Sequence, residues 1–85
     1  MKKLKETVLF QKLIDENMML FDPTTGNFMT VNEVGGIIVK CLKENYNIEK
    51  IIDKICDIYE VDRYTAEIDV AKFIEEMDER ELLDE

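Results

Sequence analysis

The stretch MMLFDPTTGNFMTV, residues 18–31, decides the fold because it holds two short apolar runs joined by a turn. Pro23 has the fixed φ that suits the second position of a type I turn, and Gly26 can adopt the positive φ that closes a hairpin. The stretch therefore predicts a β-hairpin with arms Met18 to Asp22 and Asn27 to Val31. The second arm contains neither a charge nor a proline, although these are the residues that usually protect an exposed strand edge.

The segments on either side of the hairpin complete a mixed fold. The run Val8 to Ile14 is rich in β-branched and aromatic residues, which predicts a first strand. After the hairpin, apolar residues recur every three or four positions, which predicts three helices. The helices are predicted from Asn32 to about Lys43, from Ile48 to about Glu60, and from Arg63 to about Arg80. The predicted fold class is α+β, with a three-stranded antiparallel sheet followed by three helices.

Polar residues at the predicted helix starts can accept hydrogen bonds from unpaired backbone N–H groups. Asn47 and Asp62 fit this role for the second and third helices. Two alternatives stay open for the first helix. Either Thr30 and Glu33 form a capping box, or Asn32 is itself the N-cap.

Length and charge limit the class of protein. The 85 residues fit one domain, residues 1–85, with a formal net charge of −9. Residues 44–85 hold fifteen acidic residues against five basic ones, and such a field repels nucleic acid. No apolar run approaches 18 residues, and no signal-peptide core is present, which predicts a cytoplasmic protein without a membrane segment.

The sequence offers little that could perform catalysis. It has no His, no Ser and no glycine-rich phosphate loop, so we predict no catalytic, cofactor or metal site. Cys41 and Cys56 lie among aliphatic residues, which predicts reduced thiols packed in the core. The residues therefore favour a binding protein over an enzyme.

An uncharged strand can bind a partner through its backbone alone. If Asn27 to Val31 lies at a sheet edge, its free N–H and C=O groups can pair with another extended chain. The apolar positions of the third helix span an arc of roughly 220°, about twice the stripe that one core face needs, so this helix could line a groove beside the strand. Two alternatives stay open: the strand is paired or covered within the chain, or two copies join edge to edge as a homodimer.

Four motifs in this order resemble the PqqD-like proteins, which are also called RiPP recognition elements (RiPP meaning ribosomally made and post-translationally modified peptide). They are the D-P-x-T-G turn at Asp22, the entry Val31-Asn32-Glu33-x-Gly35, the junction Tyr59-x-Val61-Asp62, and the pattern Asp69-Val70-x-x-Phe73-Ile74. The likeness covers about Met18 to Leu83. One departure concerns Glu81, which stands where relatives commonly have a glycine before two leucines, and which removes an easy left-handed cap.

The resemblance implies a winged helix-turn-helix arrangement and a peptide chaperone without catalytic activity. Such domains bind the leader of a precursor peptide and present the rest to a modifying enzyme, often a radical SAM maturase, or to a leader peptidase. The leader lies as an added strand along the third strand, beside the third helix. Carried onto this sequence, the implied peptide-binding residues are Asn27, Phe28, Met29, Thr30, Val31, Val70, Phe73, Ile74 and Met77.

The alternative function is a winged-helix regulatory protein that acts by binding nucleic acid or by dimerising. It predicts a basic recognition helix. Residues 63–81 instead hold three basic and seven acidic residues, so the charge has the wrong sign for this alternative.

Overall fold

The computed structural model describes residues 3–14 and 17–84. The predicted domain, residues 1–85, also includes residues 1–2, 15–16 and 85, which lie outside the described part. The strands are β1 (Lys3–Leu4), β2 (Leu9–Lys12), β3 (Met18–Phe21), β4 (Phe28–Val31) and β5 (Leu83–Asp84). The helices are α1 (Glu33–Lys43), α2 (Ile48–Tyr59) and α3 (Arg63–Glu79). The predicted α+β class is confirmed, since β2, β3 and β4 form an antiparallel sheet that precedes the three helices.

The β3–β4 hairpin has the predicted turn. The Gly26 N–H donates to the carbonyl of Asp22 at 2.8 Å, with Gly26 at a φ of 80°. The fully buried carboxylate of Asp22 accepts hydrogen bonds from the backbone N–H and the hydroxyl of Thr24, at 3.0 and 2.6 Å. These bonds hold the turn together, and the hydroxyl bond is the main reason why the pKa of Asp22 lies below its usual value.

Two short strands were not predicted. β1 and β5 pair antiparallel, with Lys3 opposite Asp84 and Leu4 opposite Leu83. The N–H of Lys5 also donates to the carbonyl of Leu82 at 3.1 Å. The pairing joins segments from opposite ends of the chain, and strands of two residues are too short to show an alternating pattern. The first predicted strand, Val8 to Ile14, is also shorter in the structure, where it runs from Leu9 to Lys12.

Each helix begins at a side chain that accepts a backbone N–H. Asn32 accepts from Gly35 at 2.9 Å, which decides the open alternative for α1 in favour of Asn32. The predicted caps of α2 and α3 are confirmed, because Asn47 accepts from Lys50 and Asp62 accepts from Thr65. Helices α2 and α3 therefore begin at the predicted residues, and α1 begins one residue after the predicted Asn32. All three helices end within a residue of the predicted positions.

Helix α3 ends in a left-handed turn although no glycine is present. Glu81 has a φ of 58°, and its N–H donates to the carbonyl of Asp78 at 3.0 Å. The N–H of Leu82 donates to the carbonyl of Met77 at 3.0 Å, which completes a Schellman motif. Leu82 and Met77, the two positions that commonly form an apolar contact in this motif, are both fully buried. Burial of Leu82 thus outweighs the strain at Glu81 and fixes the end of the helix.

The core lies between the three helices and one face of the β2–β3–β4 sheet. Its largest fully buried apolar side chains are Leu20, Ile38, Val39, Ile51, Val70, Met77 and Leu82. Cys41 is buried in the core, while Cys56 is partly buried and packs against it, and both thiols are free. Within the described ranges, no helix is both long and apolar enough to cross a bilayer.

Candidate peptide-binding site

Strand β4 lies at one edge of its sheet. The order is β2–β3–β4, so within the described residues β4 pairs with β3 alone. The N–H of Asp22 donates to the carbonyl of Asn27 at 2.9 Å, which makes these two residues a hydrogen-bonded pair. Because such pairs alternate along an antiparallel ladder, the backbone groups of Met29 and Val31 face β3, while those of Phe28 and Thr30 face away from the sheet.

The outward groups of Phe28 and Thr30 form what we call the open edge. Across the described part of the chain, no backbone group of another segment bonds to them. One side chain does, because Nη1 of Arg80 donates to the carbonyl of Phe28 at 3.1 Å. Pairing of this strand on both sides by residues 3–14 and 17–84 is therefore excluded, whereas the edge-to-edge homodimer stays a prediction.

The side chains of β4 alternate between solvent and core. Phe28 is 56% exposed and Thr30 is also exposed, whereas Met29 is 3% exposed and Val31 is buried. Asn27 is half-buried, and its N–H donates to the hydroxyl of Thr25. Of the five strand residues predicted to bind a peptide, Phe28 and Thr30 thus have open backbone groups, and the role of the other three stays a prediction.

The four predicted residues of α3 divide into two pairs. Val70 and Met77 are 1% and 0% exposed and belong to the core, while Phe73 and Ile74 are half-buried. Phe73 borders a cavity of about 330 Å³ between the start of α1 and α3, which we call the Phe73 cavity. It is lined by Asn32, Val34, Gly35, Ile38, Asp69, Lys72, Phe73 and Glu76. Of the four predicted helix residues, Phe73 is the one that lines this cavity, and a role of all four in peptide binding stays a prediction.

A second cavity, of about 350 Å³, lies at the hairpin end of the open edge. Its lining consists of Gly26, Asn27, Phe28, Glu79, Arg80 and Glu81. Sequence reasoning missed Arg80 and its neighbours as site residues. The available signal was the helical spacing, because residues 69, 73, 76 and 80 fall on one face of α3.

The helix side of these two cavities is mainly acidic. Four carboxylates line it, against two cations, Lys72 and Arg80. The carboxylates are those of Asp69, Glu76, Glu79 and Glu81. The arrangement suits an extended chain whose apolar side chains can contact Phe73 and whose flanking residues are basic or neutral. Among the described residues, no cluster of His, Cys, Asp and Glu could hold a metal ion.

Comparison with known proteins identifies this architecture. The family model of coenzyme PQQ synthesis protein D (PqqD) matches residues 17–83, which is most of the chain. The chain belongs to the PqqD family. The resemblance predicted from the motifs between Met18 and Leu83 is therefore confirmed. A comparison of this PqqD-family chain with curated protein sequences finds no significant match.

Two solved structures share the fold of this PqqD-family chain. The structure of TbiB1 in complex with the TbiA(beta) leader peptide has a TM-score of 0.84 and 34% sequence identity, covering 95% of this chain and 93% of that chain. A lasso peptide synthetase B1 complexed with the leader peptide has a TM-score of 0.83 and 23% identity, covering 96% of this chain and 95% of that chain. The first is similar in sequence as well as in fold, and the second shows a likeness of fold alone.

Proposed function

We propose that this PqqD-family chain is a non-catalytic adaptor, which binds the leader of a ribosomally made precursor peptide as an added strand on β4. The observation that carries the proposal is the open edge at Phe28 and Thr30. It is supported by the Phe73 cavity, whose lining includes Asn32, the residue that follows β4. The proposal is supported by the 34% identity to TbiB1, whose structure contains a leader peptide.

In the proposed complex, the leader pairs with the N–H and C=O groups of Phe28 and Thr30. Each hydrogen bond contributes about 0.5–1.5 kcal/mol net, so the ladder alone gives weak binding. Specificity then comes from alternate side chains of the leader, which point toward α3 and can bury apolar surface against Phe73. Micromolar binding, about 8 kcal/mol, is expected from the two contributions together.

The adaptor is proposed to present the precursor peptide to a second protein, which modifies or cleaves it. With the leader held on β4, the remainder of the precursor is free to enter a modifying enzyme, such as a radical SAM maturase, or a leader peptidase. A cytoplasmic location and a single-domain organisation belong to the same proposal. The alternative of a winged-helix regulator that binds nucleic acid is not favoured, because the exposed wall of α3 is mainly acidic.

The test is a titration of a fluorescent leader peptide with the purified chain, with a scrambled peptide as reference. The informative variant is Thr30→Pro, which removes an N–H that faces away from β3 and so leaves the β3 ladder intact. The matched control is Thr30→Ala, which keeps this N–H. We expect saturable binding by the wild type and by Thr30→Ala, and binding at least about tenfold weaker by Thr30→Pro, from one lost bond plus obstruction by the proline ring.

Circular dichroism and urea denaturation establish whether the Thr30→Pro chain is folded. No saturable binding by the wild-type chain would contradict the adaptor function. Equal affinity of Thr30→Pro and Thr30→Ala would contradict strand addition at this edge and would leave another peptide site to be found.

A further inference from the structure

Arg80 connects the end of α3 to the open edge. Its Nη1 donates to the carbonyl of Phe28 at 3.1 Å, and its Nη2 lies 3.4 Å from Oε1 of Glu76, one turn earlier on the helix. The side chain is 46% exposed. We call the hydrogen bond between Arg80 and Phe28 the edge contact.

The position of Arg80 is fixed by the way α3 ends. Arg80 is the C-cap residue, and it is followed by the left-handed Glu81 and the fully buried Leu82. The two backbone bonds of the Schellman motif hold this turn in place. The guanidinium therefore extends from an ordered helix end, where it faces one end of the open edge.

The edge contact uses a group that a docking peptide needs. The carbonyl of Phe28 is one of four outward backbone groups of β4, and an added strand would donate an N–H to it from the same side. The guanidinium already donates to the acceptor that this N–H of the peptide would use. Nothing comparable is found at Thr30, for which the described residues provide no such contact.

We propose that Arg80 competes with the peptide for the carbonyl of Phe28, so that binding requires the edge contact to break. This inference rests on the proposed peptide-binding function. With such a competing contact, the apparent affinity for the peptide equals the intrinsic affinity multiplied by the fraction of molecules in which the edge contact is broken. The edge contact also favours peptides that can donate a hydrogen bond to the carbonyl of Phe28. It protects an exposed strand edge that could otherwise pair with a second copy of the chain.

Removal of Arg80 is expected to tighten leader binding. An exposed hydrogen bond of this type is worth a free energy that corresponds to about a two- to tenfold change in affinity. We therefore expect Arg80→Gln to bind the fluorescent leader about two- to tenfold more tightly than the wild type. Glutamine keeps polar character but is too short to reach across from α3 as arginine does.

Two variants separate this effect from a simple change of charge. Lys72→Gln removes one positive charge from the same acidic wall, and Arg63→Gln removes one from the opposite end of α3. Neither cation contacts the backbone of β4 in the described structure. We expect Arg63→Gln to bind the leader within about twofold of the wild type, since exposed charges contribute little. Lys72 lines the Phe73 cavity, so Lys72→Gln reports what the loss of one positive charge does within the groove itself, and we expect it to show no gain in affinity that matches that of Arg80→Gln. An equal gain in Lys72→Gln and Arg80→Gln would overturn the competition and leave electrostatics as the cause.

A second measurement tests the edge contact without any peptide. The ¹³C chemical shift of the Phe28 carbonyl, recorded in wild type, Arg80→Gln and Lys72→Gln, should change in Arg80→Gln alone. An unchanged shift, or weaker leader binding by Arg80→Gln, overturns the competition. Absence of leader binding by the wild-type chain would instead contradict the proposed function, and the carbonyl shift would still report whether the edge contact exists.

Discussion

The ring of Phe73 lies against the backbone of Gly35, so closely that a Cβ at Gly35 would be 2.6 Å from Cε1 of Phe73. Gly35 belongs to the first turn of α1, and Phe73 belongs to α3. The contact therefore sets how closely α3 packs on the start of α1, and both residues line the Phe73 cavity. It also explains why a helix of eleven residues contains a glycine that lowers its intrinsic stability.

Gly35→Ala should displace the Phe73 ring. The gain in helix propensity is about 1 kcal/mol, and overpacking typically costs about 1–3 kcal/mol, so we expect a net loss of about 1 kcal/mol in the free energy of unfolding. Urea denaturation measures this loss. In a Phe73→Leu background the same substitution should be neutral or stabilising, because the ring is gone. An equal loss in both backgrounds would show that the ring is not the cause.

Glu81→Gly should stabilise the chain. Glu81 adopts a left-handed conformation, which costs an L-residue about 1 kcal/mol or more and costs glycine almost nothing. For a domain of this size, 1 kcal/mol corresponds to a rise in Tm of about 4–8 °C in thermal denaturation. The control Glu81→Ala removes the same carboxylate but keeps a Cβ, so it should give no comparable rise. A Tm for Glu81→Gly that matches Glu81→Ala would contradict the strain at this position.

Asp22 should make stability depend on pH in the acidic range. The hydroxyl of Thr24 is the leading reason why the pKa of Asp22 is below its usual 3.8. A lowered pKa in the folded state means that the carboxylate stabilises the fold above about pH 4, and that this contribution is lost as the pH falls through the folded pKa. Hydrogen bonds from Thr65 lower the pKa of Asp62 in the same direction.

Urea denaturation between about pH 2 and pH 6 tests this dependence. We expect the wild type to lose stability toward low pH more steeply than Asp22→Asn, because the amide does not titrate. Asp57→Asn, which removes one carboxylate at an exposed position of α2, is the charge-matched control. Identical slopes for wild type and Asp22→Asn would exclude Asp22 as a source of the acid sensitivity.

Local signals made much of the fold predictable. Pro23 and Gly26 determine the turn through their own backbone preferences, and Asn47 and Asp62 cap helices with side chains that reach only three residues ahead. The spacing of apolar residues indicated the helix ranges, because this spacing is also set by residues three or four positions apart. Such features depend on neighbours in the sequence, so a single sequence contains them.

Long-range contacts account for what was missed. The β1–β5 pair joins both ends of the chain, and the edge contact joins residues 52 positions apart. Which margin of α3 faces the start of α1 depends on the fit of Phe73 against Gly35, which no periodicity encodes. The burial of Met29 likewise follows from the phase of the β3–β4 ladder, and this phase depends on how the sheet packs on the helices.

Backbone amide exchange on β4, followed by NMR with and without the leader peptide, tests strand addition most directly. In the free chain the N–H groups of Phe28 and Thr30 face outward and should exchange rapidly, whereas those of Met29 and Val31 bond to β3 and should exchange slowly. Strand addition predicts that saturating peptide slows amide exchange at Phe28 and Thr30. The exchange rates of these two residues then approach those of Met29 and Val31. Rapid exchange at Phe28 and Thr30 in the saturated complex would contradict peptide binding at this edge.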